Sequence, residues 1–168
     1  MVEAPSESKK ARKNGINQLL TLPQQALARA KEYCSYQERC HSEVKDKLYS
    51  FTLATNDVEK IISQLIEEDY LNEERFAAAF ARGKFRMKHW GRVKIRYEMK
   101  QRQISEYCIK KAMKEIEDDE YMATLNKLLD EKLRSLRSEK NAFTKKKKLT
   151  DYLFQKGYER DVVFSLIK

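Results

Sequence analysis

The chain has two prolines, four glycines and one tryptophan in 168 residues. A sheet protein of this length needs more turn-forming residues than that. Lys, Glu, Leu, Ala and Arg dominate instead, which points to an all-helical protein. The three cysteines, Cys34, Cys40 and Cys108, are an odd number without a CxxC pair, which suits a reducing cytosol. Together with His41 they hold the atoms of a zinc site, but their spacing matches no usual zinc pattern. They read as small, half-buried helix residues, and no metal is expected. No apolar run approaches the ~20 residues that span a membrane. Lys9, Lys10, Arg12 and Lys13 precede no apolar core, so no secretory signal is expected. With two histidines, no glycine-rich phosphate loop and no spaced carboxylate–histidine set, neither an enzyme nor a cofactor is expected.

What is plentiful is positive charge, and it is uneven. The net charge is +9. Residues 72–116 carry thirteen basic against five acidic side chains, whereas residues 24–71 are net acidic. The densest stretch holds Arg82, Lys84, Arg86, Lys88, Arg92, Lys94, Arg96, Lys100 and Arg102 against Glu98 alone. Apolar residues at helical spacing run through it, so it reads as folded structure with one positive face rather than a solvated tail. Arg92, Arg96 and Lys100 form an i, i+4, i+8 stripe on one helix, and Arg82, Arg86 and Lys88 a second on the helix before it. Such a surface can hold phosphates or carboxylates, and Arg can do so bidentately. His89 and Trp90 fall in the intervening turn. Trp90 is read either as a core plug or as a residue that stacks on a base or fills a partner's pocket. Lys145, Lys146, Lys147 and Lys148 point all around a helix and read mainly as solvation.

The chain repeats. An apolar pair at i, i+4 recurs as Val44/Leu48, Ile95/Met99 and Leu149/Leu153. Ten residues beyond each second member lie Val58, Ile109 and Val163, with Ile104 and Tyr158 midway in the last two. Upstream stripes are Leu27, Ala30, Tyr33 and Cys34, then Phe76, Phe80, Gly83 and Met87, then Tyr121, Leu125, Leu128, Lys132 and Leu136. Closing stripes are Val58, Ile61, Ile62, Leu65 and Ile66, then Ile109, Ala112, Met113 and Ile116, then Val162, Val163, Leu166 and Ile167. Asn56 with Glu59 predicts a capping box, Ser105 an N-cap, and Gly157 a turn needing a permissive backbone. The organisation expected is a basic N-terminal arm over 1–22, then three-helix repeats over 23–71, 72–116 and 117–168. Stacked, these make an elongated, curved, solenoid-like molecule that needs no second chain to fold, so a monomer is expected.

The run Tyr70-Leu71-Asn72-Glu73-Glu74-Arg75-Phe76-Ala77, then Arg82, then Gly91-Arg92-Val93-Lys94-Ile95-Arg96-Tyr97-Glu98-Met99, resembles the signature of the RecX family. Leu153-Phe154-Gln155-Lys156-Gly157-Tyr158 with Val162-Val163 resembles its closing motif, and Glu38 to Val44 resembles an earlier one loosely. The first repeat departs from the pattern in its longer turn and in Val44, where the family usually has Leu. The resemblance implies a bacterial cytoplasmic protein of three tandem three-helix repeats. It also implies a regulator of RecA that docks in the groove of the RecA–single-stranded DNA filament. Such a regulator inhibits ATP hydrolysis and strand exchange, and so modulates recombination, DNA repair and the SOS response. The nine basic residues and Trp90 are then the expected face toward RecA or DNA, with weak binding to DNA alone. The competing expectation is a general nucleic-acid binder that acts on DNA without RecA.

Overall fold

The computed structural model describes residues 22–167. The expected arm lies outside the described residues except for Leu22, which opens the first helix. Among the described residues there are nine helices and no strand. They are α1 Leu22–Tyr36, α2 His41–Tyr49, α3 Thr55–Glu67, α4 Glu73–Lys88, α5 Arg92–Gln101, α6 Glu106–Met113, α7 Asp118–Ser135, α8 Ala142–Lys156 and α9 Arg160–Leu166. The described residues divide into two compact units, 22–71 and 72–167.

In the first unit α1, α2 and α3 close on one core. Val44 and Leu48 are fully buried, and Ala30, Cys34, Val58, Ile61, Ile62 and Leu65 pack with them. Ile66 is 46% exposed. At 100° per residue it sits about 80° from Val58, at the margin of the stripe. The capping box expected at Asn56 is not formed, because α3 begins two residues earlier, with Ala54 as its N-cap. Leu53 is drawn into the core and the chain turns at Thr52 (φ 57°), which brings the helix start forward. The reciprocal contact occurs on α2 instead, where the Glu43 carboxylate accepts from the Cys40 backbone N–H at 3.2 Å. All three cysteines are buried rather than half-buried. Among the described residues no His, Cys, Asp or Glu group is placed to hold a metal ion.

The second unit contains α4 to α9. The repeated pairs Ile95/Met99 and Leu149/Leu153 are buried, as are Ile104, Ile109, Tyr158 and Val163. Helix α4 differs from its expected stripe. Phe76 is buried, but its companions are Ala77, Ala81 and Phe85, while Met87 is 78% exposed. The small residues turn α4 so that its alanines face the core, and α4 packs most extensively against α6. Helix starts are set by polar caps: Asn72 accepts from Arg75 N–H at 3.0 Å, and Asn141 from Thr144 N–H at 2.9 Å. Ser105 caps α6 as expected, accepting from Cys108 N–H at 3.3 Å and donating to Glu73 Oε2 at 2.6 Å. Ser105→Ala should cost about 1 kcal/mol in urea unfolding, with Ser105→Asn recovering part of it. A loss below about 0.3 kcal/mol would mean that the cap is redundant.

Candidate functional site

The basic segment is organised by the turn between α4 and α5. His89 takes a left-handed conformation (φ 53°, ψ 41°) and ends α4. Its N–H donates to Phe85 O at 2.8 Å, and Trp90 N–H donates to Lys84 O at 3.3 Å. Gly91 then caps α5 and lies directly against the end of α8. Gly91 N–H donates to Lys156 O at 2.8 Å, and Val93 N–H to Gly157 O at 3.0 Å. The N–H groups at the start of one helix thus satisfy the last carbonyls of another, and the positive end of one helix dipole meets the negative end of the other. The approach is too close for side chains. A Cβ on Gly91 would stand 2.2 Å from Gly157 O, and one on Gly157 2.2 Å from Lys94 Cβ.

Beside this contact Tyr121 forms a buried hub. Its hydroxyl donates to Glu159 Oε2 at 2.5 Å and accepts from Arg92 N–H at 3.1 Å. Its ring lies 5.8 Å from that of Phe85 and 5.1 Å from that of Tyr158. Burial, and then the Glu159 carboxylate, push the Tyr121 hydroxyl pKa well above the usual phenol range. Tyr158 is shifted the same way, also chiefly by burial. The Arg92 guanidinium sits 4.2 Å over the Tyr121 ring and donates to Ile116 O at 2.8 Å and Asp118 Oδ1 at 2.6 Å. Arg92 therefore ties α5 to the start of α7.

The other basic side chains divide by partner. Arg82 pairs with Glu115 at 2.8 Å and Arg86 with Glu120 at 3.5 Å, near the α6–α7 connection. Arg96 and Lys100 share Glu106, each at 3.3 Å. Arg102 pairs with Glu98 at 2.9 Å and lies 4.9 Å over Phe80. Lys84 lies 5.2 Å over both Phe80 and Trp90, and Lys94 lies 4.7 Å over Trp90. The Lys88 side chain is exposed. Trp90 is half-buried between the two lysines rather than presenting a bare ring. Of the four successive lysines, Lys145 is partly buried and Lys148 pairs with Glu139 at 2.7 Å.

The structure brings Arg92, Arg96 and Lys100 together along one groove of about 380 Å³, with Val93, Tyr97 and Glu159 completing its lining. Val93 and Tyr97 are 52% and 59% exposed. These two, and Glu159, are absent from the charge-based reading. A signal existed: Val93 and Tyr97 are an i, i+4 apolar pair two positions out of phase with the buried Ile95 and Met99. A ten-residue helix with apolar residues on two faces has one that its own unit does not bury.

The chain matches the family model of the second three-helix domain of RecX over residues 72–113, and that of the third over 118–167. It is 29% identical over 141 residues to a regulatory protein RecX of Bacillus cytotoxicus, covering 83% of this chain and 52% of that one. A RecX of Bacillus mycoides is 27% identical over the same length and coverage. The chain thus spans about half the length of these curated relatives. The crystal structure of RecX from Lactobacillus salivarius superposes with a TM-score of 0.76 at 25% identity, covering 87% of this chain and 94% of the other. A second crystal structure of a regulatory protein RecX superposes at 0.78 with 22% identity, over 99% of this chain and 80% of that one, and speaks for the fold. The two matched domains take in more than half of the residues, with the helix order and buried pairs described above, and the chain belongs to the RecX family of regulatory proteins.

Proposed function

We propose that this chain regulates RecA by binding the RecA–single-stranded DNA filament through the exposed face of α5, inhibiting ATP hydrolysis and strand exchange. The observation that carries the reading is the groove in which Arg96 and Lys100 flank exposed Val93 and Tyr97. Basic residues interleaved with apolar ones suit a partner that offers carboxylates and apolar side chains together, as a protein surface does.

The competing reading, binding to bare DNA by charge, is weakened by the carboxylates. Glu98, Glu106, Glu115, Asp118 and Glu120 are ion-paired to Arg102, Arg96 and Lys100, Arg82, Arg92 and Arg86. The neighbouring carboxylates lower the net positive potential of this face, so affinity for bare strands and its salt slope should both be low.

The test is the pair Arg96→Glu with Lys100→Glu. Both side chains are exposed and lose only surface ion pairs worth at most about 1 kcal/mol, so the fold should survive. Arg92 is unsuitable for charge reversal, since it holds Ile116 O and the Tyr121 ring. The expected result is at least a tenfold rise in the concentration that half-inhibits RecA's DNA-dependent ATP hydrolysis, with unchanged circular dichroism. Unaltered inhibition by the folded double variant would remove the α5 face from the proposal. A steep salt slope on bare DNA would favour the competing reading.

A further inference from the structure

The second and third three-helix groups correspond with a shift of 54 residues, which carries Ile104 onto Tyr158 and Ser105 onto Glu159. Ser105 does what that position asks of it: its hydroxyl accepts from Cys108 N–H at 3.3 Å and caps α6. Glu159 is the N-cap of α9 and makes no side-chain cap. Glutamate is a poor choice there, since Ser, Thr, Asp and Asn are the residues that reach the first N–H groups. Its side chain instead lines the α5 groove, together with Arg92, Val93, Arg96, Tyr97 and Lys100. The Tyr121 hydroxyl donates to Oε2 at 2.5 Å and holds the carboxylate in place. Tyr121 is itself fixed, being buried and accepting from Arg92 N–H. The three groove cations are matched elsewhere, Arg92 to Asp118, and Arg96 and Lys100 to Glu106. Among the described residues, Glu159 forms no ion pair, and its Oε1 has no hydrogen-bond partner.

We propose that Glu159 is the specificity residue of the α5 groove: it takes a basic side chain of a protein partner and turns away the phosphate backbone of nucleic acid. The proposal rests on the reading that the α5 face is the binding face. The groove offers both signs of charge beside the exposed Val93 and Tyr97. A phosphodiester backbone brings acceptors only. A phosphate drawn to Arg96 and Lys100 therefore meets a fixed like charge and leaves Oε1 without a donor. A protein surface brings carboxylates and basic side chains together, and a lysine or arginine on Oε1 completes the site. The anchoring matters as much as the charge. A mobile surface glutamate could swing away from a phosphate, whereas one pinned by a buried tyrosine is set in advance against the wrong ligand.

The test compares Glu159→Gln with the wild-type chain in two assays. Gln keeps an amide oxygen for the Tyr121 hydroxyl and removes the charge, so circular dichroism should be unchanged. The first assay measures binding to a fluorescein-labelled oligothymidine of about 30 nucleotides by anisotropy, across a salt series. Its Kd should fall about threefold at low salt and the salt slope should steepen. Arg96→Glu with Lys100→Glu in the same background should erase that gain, which places it in the groove. The second assay measures inhibition of RecA's DNA-dependent ATP hydrolysis. Here Glu159→Gln should act in the opposite direction, raising the half-inhibiting concentration about threefold. A variant that had merely lost structure would weaken both activities; a specificity residue moves them apart. Unchanged affinity for the oligonucleotide overturns the proposal. So does wild-type inhibition by Glu159→Gln where Arg96→Glu with Lys100→Glu has lost it. If both variants inhibit as the wild type does, the α5 reading itself has failed, and the role of Glu159 falls with it.

Discussion

Gly91→Ala should destabilise the second unit by about 3 kcal/mol, near the upper end of what overpacking costs. The added methyl would stand 2.2 Å from Gly157 O and 2.5 Å from Tyr158 N, and both are backbone atoms that cannot swing aside. Relief requires α5 and α8 to separate, which lengthens the 2.8 Å and 3.0 Å hydrogen bonds from Gly91 and Val93. Those N–H groups would be left underbonded beside the buried Tyr121 hub. Gly157→Ala should be at least as costly, because it adds the strain of φ 89° to a clash with Lys94. Trp90 is the one tryptophan of the chain and precedes Gly91, so its fluorescence in a urea titration reports on this unit. The midpoint should fall with the slope unchanged. A loss below about 1 kcal/mol would show that the two helices part cheaply and that the close approach is incidental.

Alkaline pH should unfold the second unit more steeply than its lysines alone require. Tyr121 and Tyr158 are neutral in the fold, with pKa values raised by burial and by Glu159. An unfolded tyrosine ionises near pH 10. Below that pH both states hold the proton and stability is at its full value. Above it the unfolded chain loses protons that the folded chain keeps, so stability falls until the folded pKa is passed. Each tyrosine contributes about 1.4 kcal/mol per pH unit in that window, and the two together about twice that. Tyr121→Phe should be less stable than wild type at neutral pH by about 1–2 kcal/mol, since Arg92 N–H and Glu159 lose their partner. Its deficit should shrink above pH 10 as the wild-type tyrosine becomes a liability. Parallel stability curves for the two proteins from pH 8 to 11.5 would show that Tyr121 does not titrate with unfolding.

The two predictions rest on different kinds of legibility. The buried pairs Val44/Leu48, Ile95/Met99 and Leu149/Leu153 were readable because a helix turns every 3.6 residues and the core selects one face. Ser105 and Gly157 were readable because a short polar side chain caps a helix start and a left-handed turn is adopted most easily without a Cβ. Helix α4 was misread because three successive alanines give almost no hydrophobic contrast, so Phe80 and Met87 outweighed Ala77 and Ala81 in the pattern. The Asn56 box was misread because a buried Leu53, not a local cap, decides where α3 starts.

For the candidate site the division is sharper. The nine cations from Arg82 to Arg102 lie in one stretch of sequence and can be counted. Which of them stay available to a partner depends on Glu106, Glu115, Asp118 and Glu120, which lie outside that stretch. Arg92 lines the groove and also braces the fold, because Ile116 O and the Tyr121 ring meet its guanidinium. By itself the sequence determined the helices, the repeat, the buried pairs and the family, since each depends on short-range periodicity or local motif. The tertiary structure alone decided how the charges are matched and where Gly91 meets Gly157. Coulomb attraction and steric contact act through space, and the partners they join are far apart along the chain.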